Sequence, residues 1–117
     1  MKKILVVDDE EDILVVLKAF LLRNGYQVEV TQTCGEALRI FYSFLPDLVL
    51  LDINVGNSDG REVCKTIKSQ AAHRHIPVIL ISANRNSLLT YSEYGADGAV
   101  EKPFSFDALL RIIESHL

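Results

Sequence analysis

Three aspartates, a serine and a lysine stand out because each closes or follows a short apolar run. Asp8 and Asp9 come directly after Ile4 to Val7, Asp52 ends the run that begins at Leu48, Ser82 follows Val78 to Ile81, and Lys102 comes soon after Ala99 and Val100. An aspartate that ends a buried strand is costly unless a cation and hydrogen bonds keep it ionised, or unless it serves as a nucleophile. Oxygen ligands of this kind suit a hard divalent cation such as Mg²⁺, which would relieve their repulsion. A carboxylate beside such a cation can attack a phosphoryl group in line, while a lysine neutralises charge on the equatorial oxygens. Asp52 is therefore the candidate nucleophile, Lys102 its countercharge, Ser82 a phosphoryl contact, and Asp8 and Asp9 candidate metal ligands.

The neighbours of these residues have plainer roles. Glu10, Glu11 and Asp12 read as solvated first-turn residues favoured by a helix dipole and are not counted into the metal site. Taken alone, Asp9 also fits as a helix N-cap, and Ser82 as a local backbone partner. Pro103 biases Lys102 towards an extended or turn conformation, from which its ammonium can reach back across a rim.

Such residues need a framework that brings them together. Short apolar runs at Ile4 to Val7, Val28 to Val30, Leu48 to Leu51 and Val78 to Ile81, with a weaker one at Ala99 and Val100, alternate with stretches of helical period. Ile13, Leu14, Val16, Leu17, Phe20 and Leu21 form one helical face, and Ala37, Leu38, Ile40, Phe41 and Phe44 a second. Val63, Cys64 and Ile67 make the third, Leu88, Leu89 and Tyr91 to Tyr94 a short fourth, and Phe106, Leu109, Leu110, Ile112 and Ile113 the fifth. Thr33 with Glu36, and Asp59 with Glu62, have capping-box spacing at two helix starts. Gly25 and Gly95 sit where the first and fourth helices should stop. Continuous apolar strands joined by crossover helices imply an α/β fold, a three-layer sandwich with a parallel five-stranded sheet covered on both faces. In such sheets ligands bind beyond the carboxyl ends of the strands, which is where the polar residues fall.

Composition narrows the classes. A chain of 117 residues suits one domain with one core. Sixteen acidic against twelve basic side chains, a formal net charge of -4, give no reason to expect nucleic acid or an anionic membrane as a partner. Cys34 and Cys64 lie in helical patterns and suit reduced thiols, so a cytoplasmic setting is expected. No apolar run approaches the roughly 18 to 20 residues that a bilayer needs.

The stretches "VVDDEE", "LVLLDINVGNSDG", "VILISA" and "GADGAVEKPF", in this order, resemble the characteristic blocks of the receiver domain of two-component response regulators. The resemblance implies a flavodoxin-like (βα)5 fold with strand order 2-1-3-4-5. It implies that Asp52 accepts a phosphoryl group from a sensor histidine kinase or histidine phosphotransfer protein, in a reaction that requires Mg²⁺, with Mn²⁺ as a substitute. The implied metal set is Asp8, acting largely through water, Asp9, Asp52 and the backbone carbonyl of Asn54. Ser82 and Lys102 would contact the phosphoryl group, Ala83 is the small neighbour of Ser82, Pro103 follows a peptide bond often cis in the family, and Asp59 and Gly60 match the "DG" that opens the third helix. A homodimer through the fourth helix, last strand and fifth helix is a further implied partner.

Two departures from the family pattern bear on behaviour. Val55 and Gly56 stand where the family usually has an apolar residue and then proline, and glycine is expected to loosen that loop. Ala99 occupies a switch position at which the family commonly has a tyrosine or phenylalanine that moves inward on activation. Without that ring, coupling should run through the loop from Ser82 to Asn86 and the fourth helix, or else be weak. The chain is read as a single receiver domain over 1-117 without an output module, not a conventional enzyme but one expected to promote its own phosphorylation and dephosphorylation. Two other classes compete: a receiver-like scaffold that works without phosphate, and a metal-dependent phosphohydrolase. The latter often needs a general acid two residues beyond its nucleophile, where this chain has Asn54.

Overall fold

Alternation of side chains along a strand sends successive residues to opposite faces of a sheet, and this chain uses both faces. The computed structural model describes residues 1–117. Its order is β1 (Lys3–Val7), α1 (Glu11–Arg23), β2 (Gln27–Thr31), α2 (Cys34–Phe44), β3 (Leu48–Asp52), β4 (Asn54–Val55), β5 (Ser58–Asp59), α3 (Gly60–Lys68), β6 (Val78–Ser82), α4 (Arg85–Leu88), a 3-10 turn (Tyr91–Tyr94), β7 (Gly98–Glu101) and α5 (Phe106–His116). Five strands form one parallel sheet in the order β2-β1-β3-β6-β7. Counting only those strands, this is the expected 2-1-3-4-5, and the architecture is the flavodoxin-like three-layer sandwich.

Ile4, Val6, Leu48, Leu50, Ile79 and Ile81 pack with Leu14, Leu17 and Leu21 of α1 and Leu109 and Ile113 of α5. On the opposite face, Leu5, Val7, Val49, Leu51, Val78 and Leu80 meet Ala37 and Phe41 of α2 and Val63, Cys64 and Ile67 of α3. Every residue of β3 and β6 is buried, so these strands read as unbroken apolar runs. Cys34 is half-buried and Cys64 buried, both as free thiols. No helix is long and apolar enough to cross a membrane.

The caps follow the sequence in part. Thr33 Oγ1 accepts from the Glu36 N–H at 3.2 Å. Asp59 does cap α3, but through the N–H of Arg61 at 2.9 Å, and it also pairs with the Arg61 guanidinium. Gly25 and Gly95 take positive φ at their helix ends. The fourth helix is broken into a single α-turn and a separate 3-10 turn. Asn, Ser, Thr and Tyr are modest helix formers, and only Leu88 of these two turns is buried in the core, so little packing opposes the break. Leu89 is left 71% exposed.

The segment after β3 also differs from expectation. Instead of a loosened loop, β4 and β5 form an antiparallel two-stranded hairpin in which Val55 pairs with Ser58. Gly56, the first of the two turn residues, has φ of 61°, as a tight two-residue hairpin turn requires.

Candidate functional site

Parallel pairing brings the carboxyl ends of the strands to one rim, and the polar residues stand along it. Asp8 follows β1, Asp52 ends β3 and pairs with Ile81, Ser82 ends β6 and pairs with Glu101, and Lys102 follows β7. Asp8 and Asp52 are only 2% and 4% exposed. Buried carboxylates need a countercharge, and Lys102 supplies one. Its Nζ lies 2.8 Å from Asp8 Oδ2 and 2.8 Å from Asp52 Oδ2, with Glu10 Oε1 farther away at 3.7 Å. The Lys102 backbone is anchored by its N–H to the Ser82 carbonyl at 2.9 Å, and the following bond to Pro103 is cis.

The remaining oxygens are oriented by the backbone. Asp52 Oδ1 accepts from the Asn54 N–H at 3.0 Å, and Asp8 Oδ1 from the Glu10 N–H at 2.9 Å. Burial pushes the Asp52 carboxyl above its ordinary value and the Asp8 charge adds to this, against the lowering effect of Lys102 and the Asn54 N–H. For Lys102 burial acts downward, but the bonds to Asp52 and Asp8 outweigh it and the ammonium is held above its ordinary value. The lysine is therefore a firm cation. Asp52 sits in a place that resists its charge, as a carboxylate waiting for neutralisation would.

Asp9 and Ser82 are held differently. Asp9 is exposed and does not cap α1; Glu10 occupies that position and makes no side-chain cap bond. Asp9 Oδ2 instead accepts from the Gly56 N–H at 3.0 Å. Ser82, fully buried, accepts at Oγ from the Asn84 N–H at 3.0 Å. Asn84 in turn caps α4 through Ser87 N at 3.3 Å. Ala99 is half-buried and packs against the core face that holds α2 and α3.

The donor chemistry fits a hard cation. Oxygens of Asp8, Asp9 and Glu10 can lie within 4.8 Å of one another, and an all-oxygen set is what Mg²⁺ prefers. Glu10 is exposed, as a solvated first-turn residue should be, and its carboxylate lies beside those of Asp8 and Asp9. Asp52 is turned towards Lys102 and Asn54 N rather than into that set. Sequence reasoning also missed the Gly56 N–H, although a glycine and an asparagine between two short extended stretches already signal a tight turn.

Gly60 shows how closely the rim is packed. A Cβ there would lie deep inside contact distance of the Asp52 carbonyl oxygen, so the start of α3 abuts β3 directly. Beside the rim, Glu10, Ile13, Val16, Ala83, Lys102 and Phe104 help line a cleft of about 570 Å³.

This fold and rim define a receiver module, and residues 4–114 match the family model described as the response regulator receiver domain. The chain belongs to that family, whose members work with histidine kinases or phosphotransfer proteins in two-component systems. It is 39% identical to the transcriptional regulatory protein YxdJ of Bacillus subtilis, over 100% of this chain and 51% of that protein. It thus spans about half the length of this curated relative. The response regulator protein TrrA of Thermotoga maritima, solved in complex with Mg²⁺-BeF, superposes with a TM-score of 0.89 at 37% identity, covering 100% of both chains. The chemotaxis protein CheY4 of Vibrio cholerae gives a TM-score of 0.92 at 27% identity, over 100% of this chain and 99% of that one.

Proposed function

We propose that this domain is a phosphoacceptor switch in which Asp52 takes a phosphoryl group from a histidine kinase or phosphotransfer protein. The observation that carries this reading is the single ammonium of Lys102 shared at 2.8 Å between two buried carboxylates at the ends of different strands. An oxygen of Asp52 forms the new P–O bond while the bond from phosphorus to the donor breaks and its electron pair leaves with the donor. Lys102, already on Asp52, is placed to donate to a phosphoryl oxygen as charge arrives. The Ser82 hydroxyl accepts from Asn84 and retains its own proton for a second phosphoryl oxygen. A Mg²⁺ ion, with Asp8, Asp9, Asp52 and the Asn54 carbonyl as its candidate ligands, would supply further neutralisation of the phosphoryl oxygens.

Transmission through Ala99 is not available, since a methyl group has no ring to swing. The route favoured by the hydrogen bonds runs from Ser82 Oγ to the Asn84 N–H and on to α4. A hydroxyl that turns towards a phosphoryl group weakens its hold on Asn84, at the start of a thinly packed segment. The presence of Asn54 where a phosphohydrolase needs an acid argues against continuous turnover, and the buried Asp52–Lys102 pair argues against a scaffold indifferent to phosphate.

Incubation with acetyl phosphate, with Mg²⁺ and with chelator, followed by mass mapping, tests the proposal. One added phosphoryl group on Asp52, present only with the cation and absent from Asp52→Asn, is the expected result. Equal labelling of Asp52→Asn, or full labelling in chelator, refutes it.

A further inference from the structure

We propose that the backbone N–H of Gly56 is a positioning group for Asp9: it fixes one carboxylate oxygen so that the other faces the cation, and thereby couples cation binding to closure of the β4–β5 hairpin. The inference rests on the cation reading of the rim. The contact itself is a hydrogen bond of 3.0 Å between residues 47 apart in sequence.

Several features make this contact specific. Val55, only 3% exposed, anchors the hairpin in the core, and its pairing with Ser58 fixes a turn of just two residues. The N–H of the first turn residue takes no part in such a ladder, so it must find a partner elsewhere or face water. Gly56 takes φ of 61° with open space around its Cα, and in this turn its N–H meets Asp9 Oδ2. A proline at this position, having no N–H, could not make the bond.

Asp9 has no other side-chain partner, while the Gln32 amide holds its backbone carbonyl at 3.2 Å. Its carboxylate is thus secured at one oxygen and free at the other. Hydrogen bonds to a metal-ligating carboxylate preset its orientation and are part of the binding site in energetic terms. Reciprocity follows: if a closed hairpin favours the cation, the cation must favour a closed hairpin by the same factor.

Two measurements on the intact chain test this. In chelator, exchange of the Gly56 amide hydrogen should be at least tenfold slower than in Asp9→Ala, and Mg²⁺ should slow it further in the wild type. Replacing the Gly56 amide nitrogen by an ester oxygen through chain ligation removes the N–H and keeps the glycine dihedrals. Mg²⁺ affinity, read by calorimetry, should then fall about five- to tenfold. A Gly56 amide that exchanges as fast in wild type as in Asp9→Ala, or unchanged Mg²⁺ affinity in the ester protein, overturns the positioning role and leaves the cation site standing. Failure of the wild type to bind Mg²⁺ at all overturns the cation reading, and this inference with it.

Discussion

Lys102→Met is the most revealing single perturbation, because Lys102 is the one cation paired with both Asp8 and Asp52. Methionine keeps the length of the side chain and removes its charge, leaving two carboxylates that are 2% and 4% exposed. Breaking a buried pair by deleting one partner costs about 3–5 kcal/mol. The upper end is limited, since a stranded carboxylate can instead bind a proton, which at pH 7 costs about 4 kcal/mol for a group of ordinary acidity. A domain of this size holds roughly 6–15 kcal/mol in all. Each kcal/mol lost should lower Tm by about 4 °C at this chain length, so melts in chelator at pH 7 should fall by roughly 12–16 °C. Addition of Mg²⁺ should return part of that loss, because a cation at the rim replaces the missing charge. Lys65, exposed on α3, provides the control, and Lys65→Met should stay within about 0.5 kcal/mol. A Lys102→Met protein that melts within about 4 °C of wild type in chelator would show that the two aspartates do not depend on this ammonium.

Two further outcomes follow from the packing. Gly60→Ala forces a Cβ against the Asp52 carbonyl oxygen, a backbone atom that cannot turn aside; a loss of about 1–3 kcal/mol or more is expected, and wild-type melting would mean that α3 can shift freely from β3. Burial pushes the Cys64 thiol from its usual 9.0 up to about 11. In that interval the unfolded chain releases the thiol proton and the native one keeps it, so the Cys64 contribution is intact below pH 9 and is lost as pH rises towards 11. Denaturant titrations across this range should show a steeper alkaline decline in wild type than in Cys64→Ala, and parallel curves would refute the shift.

The parts of this molecule that the sequence made legible are those set by apolar pattern. The runs ending at Val7, Asp52 and Ser82 are strands, four of the helical faces are helices, and the topology follows from their alternation. Asp8, Asp52 and Lys102 converge because parallel strands deliver their carboxyl ends to one side. What stayed hidden depends on the backbone and on short polar segments. The Asp59 cap shows this, since the side chain chose Arg61 N and the Arg61 guanidinium over the expected Glu62 partnership. Likewise the residues from Asn84 to Gly95 contain apolar and aromatic side chains at helical spacing, but low propensity and one buried anchor give two separate turns. Glu10 is exposed, as first-turn acids usually are, but its approach to Lys102 needs the position of a side chain from the far end of the chain.

The charge balance of the rim links these observations to the proposed chemistry. Asp8, Asp52 and Glu10 share Lys102, and Asp9 stands beside them with a backbone N–H as its only side-chain partner. With one ammonium among four carboxylates the rim has excess negative charge, and a phosphoryl group would bring more. Lys102 has three N–H donors, two of them engaged at 2.8 Å with Asp8 and Asp52, so one remains for a phosphoryl oxygen, and any closer engagement with the phosphoryl group has to weaken those two bonds. A divalent cation at the acidic side would release Lys102 from part of its structural duty. A need for a cation would then arise from the lysine as much as from the phosphoryl group: without the ion, the ammonium has one donor to offer while it holds both aspartates, and with the ion it can turn further towards the phosphoryl oxygens.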